Sequence, residues 1–520
     1  MRLYPIGLQD FKKLREGGYL YVDKTRQMYD LVMSGSYYLL PRPRRFGKSL
    51  LLSTIKYFFQ GREELFEGLW VDQESEHDWK AYPVLHFSFS SIGYKSIGLE
   101  KALVRAIDDA AKEHGVTLEN EDLPGRFREL IQVLVNSPQK LVILIDEYDK
   151  PLTDYLDDLP QAEINRAVLK NFFSVIKDSD QFIRLLLITG VSKFSKVSLF
   201  LDLNHLEDLT LNPYGATLTG YTQEELEENF SEEIMRLANT YQMDRDQLLQ
   251  QIQSWYNGYR WWIGGTLYNP FSILNFFKSG MFRNFWWESG TPTFLLKALK
   301  RHNQYDLPDQ EVTSVVFESF TLENQDWLAL LFQTGYLTLA PFGYRDRVFK
   351  LVYPNKEVEE TMYQHLLATY RDMPVSTSYS IWLNLRKALD AGNLEEVMKQ
   401  IDLLFSTIPY QIFDAKKESF FHAILHLTFQ GLGMMTQSEV STSTGRVDTV
   451  VFGENEVYVM EFKLDASANA ALDQIRAKRY GSPYLGENRP VVAVGISFSS
   501  ETRTVAEWEA VPYTELLAEG

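Results

Sequence analysis

Short apolar runs alternate with helical periodicities along the first two hundred residues. A run at Tyr37–Leu40 meets a turn marked by Pro41 and Pro43. Beyond it Leu51, Leu52, Ile55, Phe58 and Phe59 recur at helical spacing, which predicts a helix with one buried face. Val84–Phe89 and Ile183–Ile188 read as strands. Leu141–Ile145 is five apolar residues in a row, β-branched in part, the pattern of a strand buried on both faces. Helices are expected through about Met33, with Asp23 or Thr25 as the cap, and over Ile97–His114 and Arg126–Val135. Leu209–Leu211 supplies a fifth strand. Strands alternating with helices imply a parallel α/β sheet, whose ligand sits at the carboxyl ends of the strands.

From Thr222 the pattern turns helical. Thr222 and Glu225 form a capping box. Trp255–Trp262 and Phe285–Trp287 carry many aromatic residues, which read as core in preference to a base-stacking surface. Residues 270–400 show helical spacing and no chemical constellation. Further on, a helix over Lys416–Phe429 precedes two strands, Ser438–Phe452 and Val457–Leu464, joined by a turn at Gly453–Asn455; Ala468–Tyr480 is again helical.

Composition narrows the class. A chain of 520 residues has room for two to four domains, and 45% apolar with 23% charged residues is ordinary for a globular protein. The absence of cysteine excludes disulfides, thiolate metal sites and cysteine nucleophiles. No signal-peptide core and no apolar run near the roughly 20 residues of a membrane span is found, so a soluble cytoplasmic protein without membrane contact is expected. A net charge of −18 argues against a broadly basic nucleic-acid coat, though not against a local groove.

The candidate chemistry begins at Gly47-Lys48-Ser49, between strand and helix. Strand, loop, Gly-Lys-Ser and helix is the order of a P-loop. Backbone N–H groups at the helix start would hold phosphate oxygens, Lys48 would reach the β- and γ-phosphates, and the Ser49 hydroxyl would ligate Mg²⁺. The full pattern wants glycine where Arg42 stands, and Arg44 and Arg45 add to a basic loop. The strand Leu141–Ile145 ends in Asp146 and Glu147, as a Walker B element does: Asp146 for Mg²⁺, Glu147 to polarise the attacking water. Thr189, at the end of the next strand, is the candidate γ-phosphate sensor.

A second constellation lies near the C-terminus. Asp448 begins one strand, while Glu461 and Lys463, two apart on the next, share a face. Two carboxylates beside a lysine suit Mg²⁺ and phosphodiester hydrolysis, with Lys463 relieving charge on the phosphoryl group. Glu418, on the helix before, is a further acidic member, and Gln474 shares a helix face with Lys478. A surface salt bridge between Glu461 and Lys463 is the plain alternative.

Arg42–Leu50, Leu144–Pro151, Trp255–Tyr259 and Tyr268–Ser272 resemble the AAA-ATPase-like family of bacterial and archaeal proteins. Gly445–Asp448, Glu461–Leu464 and Gln474–Tyr480 resemble the PD-(D/E)XK nuclease domain that those proteins carry at the C-terminus. The arginine-rich loop is a habit of that family, whereas the Gln474–Tyr480 spacing departs from RecB-like nucleases and leaves Tyr480 unassigned. The resemblance implies a P-loop domain over 1–270, a helical middle or lid region over 271–404 and a restriction-endonuclease-like α/β domain over 405–520. It implies ATP and Mg²⁺ as cofactors, and nucleic acid, DNA first, as partner. The expected activity is a nucleotide-gated nuclease, with defence against foreign DNA as one setting by analogy. A non-catalytic, nucleotide-controlled switch or scaffold is the alternative. No arginine finger is assignable, so a homo-oligomer stays open.

Overall fold

A computed structural model describes residues 2–135, 140–193, 205–287, 293–302, 304–305, 307–317, 326–374, 379–408, 418–432, 435–442, 445–486 and 489–518. The chain forms two compact units, Met1–Thr291 with Pro308–Val358, and Pro292–Leu307 with Glu359–Gly520. Residues 271–404 are divided between them.

The first unit is built on five strands: β1 (Tyr37–Pro41), β2 (Val84–Ser88), β3 (Leu141–Asp146), β4 (Ile183–Gly190) and β5 (Glu207–Asp208). Their order is β2-β3-β4-β1-β5 and every pairing is parallel. β1 and β3 are buried along their whole length, as expected for a sheet covered by helices on both faces. On one face Leu52, Ile55, Phe58 and Phe59 of helix Lys48–Phe59 meet Leu40, Val142 and Leu185. On the other, Phe87 of β2 meets the rings of Phe127 and Phe172, both at 5.6 Å, from helices Leu123–Leu134 and Leu159–Asp178. The carboxyl ends of β1, β3 and β4 therefore come side by side.

Beyond the sheet, the capping box of Thr222 and Glu225 opens helix Gln223–Asn229. Trp261, Trp286 and Trp287 are buried, in line with the core reading of the aromatic stretches.

Three local expectations are corrected. The fifth strand lies at Glu207–Asp208 instead of Leu209–Leu211. Leu209 still donates its N–H to Leu39 (2.9 Å), but Asp208 then accepts from the Thr210 N–H and hydroxyl (2.9 and 2.6 Å) and turns the chain. The middle is not only helical: β6 (Gln310–Thr313), β7 (Thr338–Leu339) and β8 (Val348–Val352) form a small antiparallel sheet. These strands are too short to impose a period-two pattern on the sequence. Ser438–Phe452, read as one strand, spans most of a hairpin of β9 (Met435–Thr442) and β10 (Gly445–Phe452). Thr442 and Gly445 are paired across the two strands, and the two residues between them leave too short a break to read in the sequence.

The second unit carries that hairpin in a sheet ordered β13-β12-β11-β10-β9, where β11 is Val457–Leu464, β12 Val491–Phe498 and β13 Val505–Pro512. Only β11 and β12 are parallel, and helix Ala468–Lys478 provides the crossover between them. Helices Tyr379–Asp390 and Leu394–Ser406 belong to the same body. Tyr458 donates its hydroxyl to Leu389 O (3.1 Å), and Asp402 accepts from the Val505 N–H (2.7 Å). The ring of Phe405 meets Phe421 and Phe498 at 5.1 and 5.2 Å. Among the described residues no helix is long and apolar enough to cross a membrane.

Phe405 joins a helix before residue 405 to the sheet beyond it. Phe405→Ala in the full chain is expected to destabilise the second unit by about 3–5 kcal/mol. A denaturation curve should show that unit unfolding at lower denaturant, with the first unit's transition unmoved.

Candidate functional site

The loop after β1 ends at Gly47, which adopts a left-handed conformation (φ 89°) that favours glycine. A Cβ there would meet no protein atom within 4 Å, so the space in front of the helix start is open. Lys48 is the first residue of its helix and is buried. Its ammonium donates to the carbonyls of Arg42 (2.8 Å) and Pro43 (2.9 Å). Burial lowers the Lys48 pKa, while Asp146, Glu147 and Asp149 pull it back up.

Asp146, at the end of β3, accepts from the Ser49 hydroxyl at 2.5 Å and from the Thr189 hydroxyl at 2.6 Å. The helix start, β3 and β4 thus converge on one carboxylate. Thr189 is fully buried, and its hydroxyl goes to Asp146. Glu147 sits at φ 55°, an uncommon conformation for a residue with a side chain. Its pKa is raised, first by burial and then by the charge of Asp146. Gly47, Lys48, Ser49, Asp146, Glu147 and Thr189 are therefore brought together. The oxygen donors of Ser49 and Asp146 beside Lys48, at an open helix N-terminus, fit a magnesium-bound nucleoside phosphate.

Behind this site Asp149 escaped the sequence reading, and Arg42 was read there only as a departure from the P-loop pattern. Asp149 is buried and accepts from the N–H groups of Val191 (3.1 Å) and Ser192 (2.7 Å) and from the Ser192 hydroxyl (2.6 Å). It fixes the turn after β4, and its only signal was a third carboxylate three residues after Asp146. Arg42, which stands where a P-loop glycine is usual, is also fully buried. Its guanidinium donates to the carbonyls of Pro41 (2.8 Å), Leu209 (3.1 Å), Thr210 (3.3 Å) and Gly215 (2.8 Å), and lies 4.4 Å over the ring of Trp261. Burial pushes its pKa down to about 9, opposed by Asp208. Gly215 permits this approach, since a Cβ there would lie 3.3 Å from the guanidinium and 2.5 Å from Leu209 O.

In the second unit the pairing of Thr449 with Met460 and Val450 with Val459 sets Asp448 beside Glu461. Asp448 accepts from the Phe462 N–H (2.8 Å), and Glu461 accepts from Lys463 (3.0 Å). Glu461 is 1% exposed, whereas Asp448 and Lys463 reach the surface at 22% and 21%. Burial, then the charge of Asp448, raises the Glu461 carboxyl to about 7, against the pull of Lys463. Two adjacent carboxylates with one ammonium against them fit Mg²⁺, which takes one or two carboxylates and keeps waters. Among the described residues, no group of three or more acidic, histidine or cysteine side chains is arranged to hold a metal.

Helix Glu418–Gly431 adds a residue the sequence reading missed. His422 Nε2 is 3.4 Å from Asp448 Oδ1, and Nδ1 is 3.3 Å from the hydroxyl of Tyr305. Its signal was its place one turn after Glu418, whose own side chain lies outside the described residues. Gln474 has its amide 3.5 Å from the hydroxyl of Tyr480.

The role of Arg42 is open to a direct check. Arg42→Gly brings the loop closer to a general P-loop sequence, yet it strips four carbonyls of their donor. A loss of stability on the order of 3 kcal/mol or more is expected from chemical denaturation.

Family models match two stretches of the chain. A family model described as predicted AAA-ATPase matches residues 5–200. A model described as PD-(D/E)XK nuclease superfamily matches residues 416–508. The chain is 36% identical over 519 residues to the "Uncharacterized protein in vnfD 5'region" of Azotobacter chroococcum mcd 1, covering 96% of this chain and 97% of that one. No solved structure matches. The chain therefore belongs to the family of AAA-ATPase-like proteins that carry a PD-(D/E)XK nuclease superfamily domain at the C-terminus.

Proposed function

We propose that the protein is an ATP-binding, Mg²⁺-dependent DNA nuclease in which nucleotide state gates phosphodiester cleavage. The observation that carries this reading is the buried Glu461, set beside Asp448 and bonded to Lys463. A carboxylate so desolvated, next to a second one, is costly to a fold and useful to a metal-dependent hydrolase. Asp448 and Glu461 would hold Mg²⁺, and Lys463 would stabilise charge on the phosphoryl oxygens. Mg²⁺ held there would acidify a water and draw charge from the scissile phosphate.

In the first unit Gly47, Lys48, Ser49 and Asp146 would bind Mg-ATP. Thr189 would position Asp146, and Glu147 would polarise the attacking water. Two observations support gating. Lys48 has to leave the carbonyls of Arg42 and Pro43 to reach a phosphate. The same loop is held by Trp286, which donates its ring N–H to Arg44 O at 3.1 Å. The chain beyond Trp286 leads to Tyr305, which meets His422 at the nuclease carboxylates. Cytoplasmic defence against foreign DNA is the setting we propose for such an activity.

Plasmid and linear DNA incubated with and without Mg²⁺ and ATP test the reading. Cleavage is expected with Mg²⁺ or Mn²⁺ and not with Ca²⁺, which prefers looser coordination. Asp448→Ala and Glu461→Ala should each abolish cutting and leave ATP binding intact. Lys463→Ala should slow cleavage on the order of a hundredfold. Lys48→Ala should weaken ATP binding by roughly tenfold or more, about 1.4 kcal/mol, by calorimetry. Wild-type cleavage by Asp448→Ala would overturn the nuclease assignment.

A further inference from the structure

The nucleotide loop carries three arginines, and the structure gives each a different place. Arg42 is consumed by the fold, buried against four carbonyls and the ring of Trp261. Arg45 adopts a left-handed backbone (φ 67°) and lays its guanidinium 5.0 Å over the ring of Phe271. Arg44 differs from both. It is exposed, and among the described residues its guanidinium makes no hydrogen bond or ion pair. Its backbone is nonetheless fixed, because its carbonyl accepts from the Trp286 ring N–H at 3.1 Å.

Arg44 stands four residues before Lys48 and three before Gly47, where the helix start opens on free space. Lys48 has the carboxylates of Asp146, Glu147 and Asp149 acting on it, whereas Arg44 makes no ion pair among the described residues, and the twelve-residue helix that begins at Lys48 opens on free space. A polyanion in that space would satisfy both. Guanidinium offers a planar fork of donors that matches phosphate oxygens, and arginines supplied to a terminal phosphate stabilise the charge that develops on transfer.

We propose that Arg44 binds the terminal phosphate of a nucleoside triphosphate and is the residue by which this loop tells a triphosphate from a diphosphate. The inference rests on the nucleotide reading given above and goes beyond it in naming a phosphate-sensing cation supplied by the loop itself. Lys48 would then serve the phosphates common to both nucleotides, and Arg44 the one that hydrolysis removes.

Calorimetric titration of the full chain with Mg-ATPγS and Mg-ADP tests it. Arg44→Ala is expected to weaken ATPγS by tenfold or more, about 1.4 kcal/mol, while ADP affinity stays within about twofold. Arg44→Lys, which keeps the charge and loses the fork, should fall between, and it carries the test if the alanine variant melts at a lower temperature. Arg45→Ala should bind both nucleotides as wild type does. Loss of wild-type binding in Lys48→Ala with unchanged ATPγS affinity in Arg44→Ala would overturn the role of Arg44 alone. Equal weakening of both nucleotides by Arg44→Ala would do the same. A wild-type chain that binds neither nucleotide would overturn the nucleotide reading, and Arg44 with it.

Discussion

The first unit depends on a buried guanidinium. Arg42 is withdrawn from water at the end of β1, where an unpaired charge would cost several kcal/mol. Carbonyls from Pro41 and from Leu209, Thr210 and Gly215 take its terminal N–H groups, and Trp261 covers its face. One side chain thereby ties the end of β1 to the segment after β5 and to the aromatic region. The loop's remaining geometry follows. Phe46 packs edge-on against Tyr259 and Trp261 at 4.7 and 5.0 Å, and Lys48 folds back onto the loop's own carbonyls. A glycine-rich phosphate loop is held by backbone freedom and close packing, whereas this one is held by a charge that has to be satisfied.

The same physics with the opposite sign shapes the second unit. Glu461 is as deeply buried as Arg42, but its neighbours do not neutralise it. Lys463 supplies one ion pair, and Asp448 brings a second negative charge. Arg42 is a charge whose partners all belong to the chain, and it is structural. Glu461 is a charge left short of partners, and such a deficit is what a cation-binding site looks like before the cation is considered. The contrast separates the two kinds of buried charge in this protein better than their burial does.

Much of both sites was legible from the residues. Gly47-Lys48-Ser49 between an apolar run and a helical period, and Asp146-Glu147 after five apolar residues, are local patterns whose spacing is set by a single strand or helix. Glu461 and Lys463, two apart on a strand, share a face for the same reason. What escaped were residues whose partners are distant in the chain. Asp149 reaches the turn at Val191–Ser192, and His422 stands between Tyr305 and Asp448. Neither contact leaves a periodic trace. The hairpin of β9 and β10 was missed for a different reason, since only two residues separate its paired strands.

By itself the sequence determined the alternation of strands and helices, the two motif clusters and their order along the chain, because backbone periodicity and neighbouring residue types are local properties. Tertiary structure decided which arginine of a basic loop is buried, which one is stacked on an aromatic ring and which one is left exposed without an ion pair among the described residues. It decided that the Thr189 hydroxyl goes to Asp146, and that Tyr305, from a segment far ahead of the nuclease motifs, reaches His422. Those outcomes turn on desolvation and on donors and acceptors brought together across long stretches of chain. Burial and partnership are properties of the packed whole, and no window of sequence contains them.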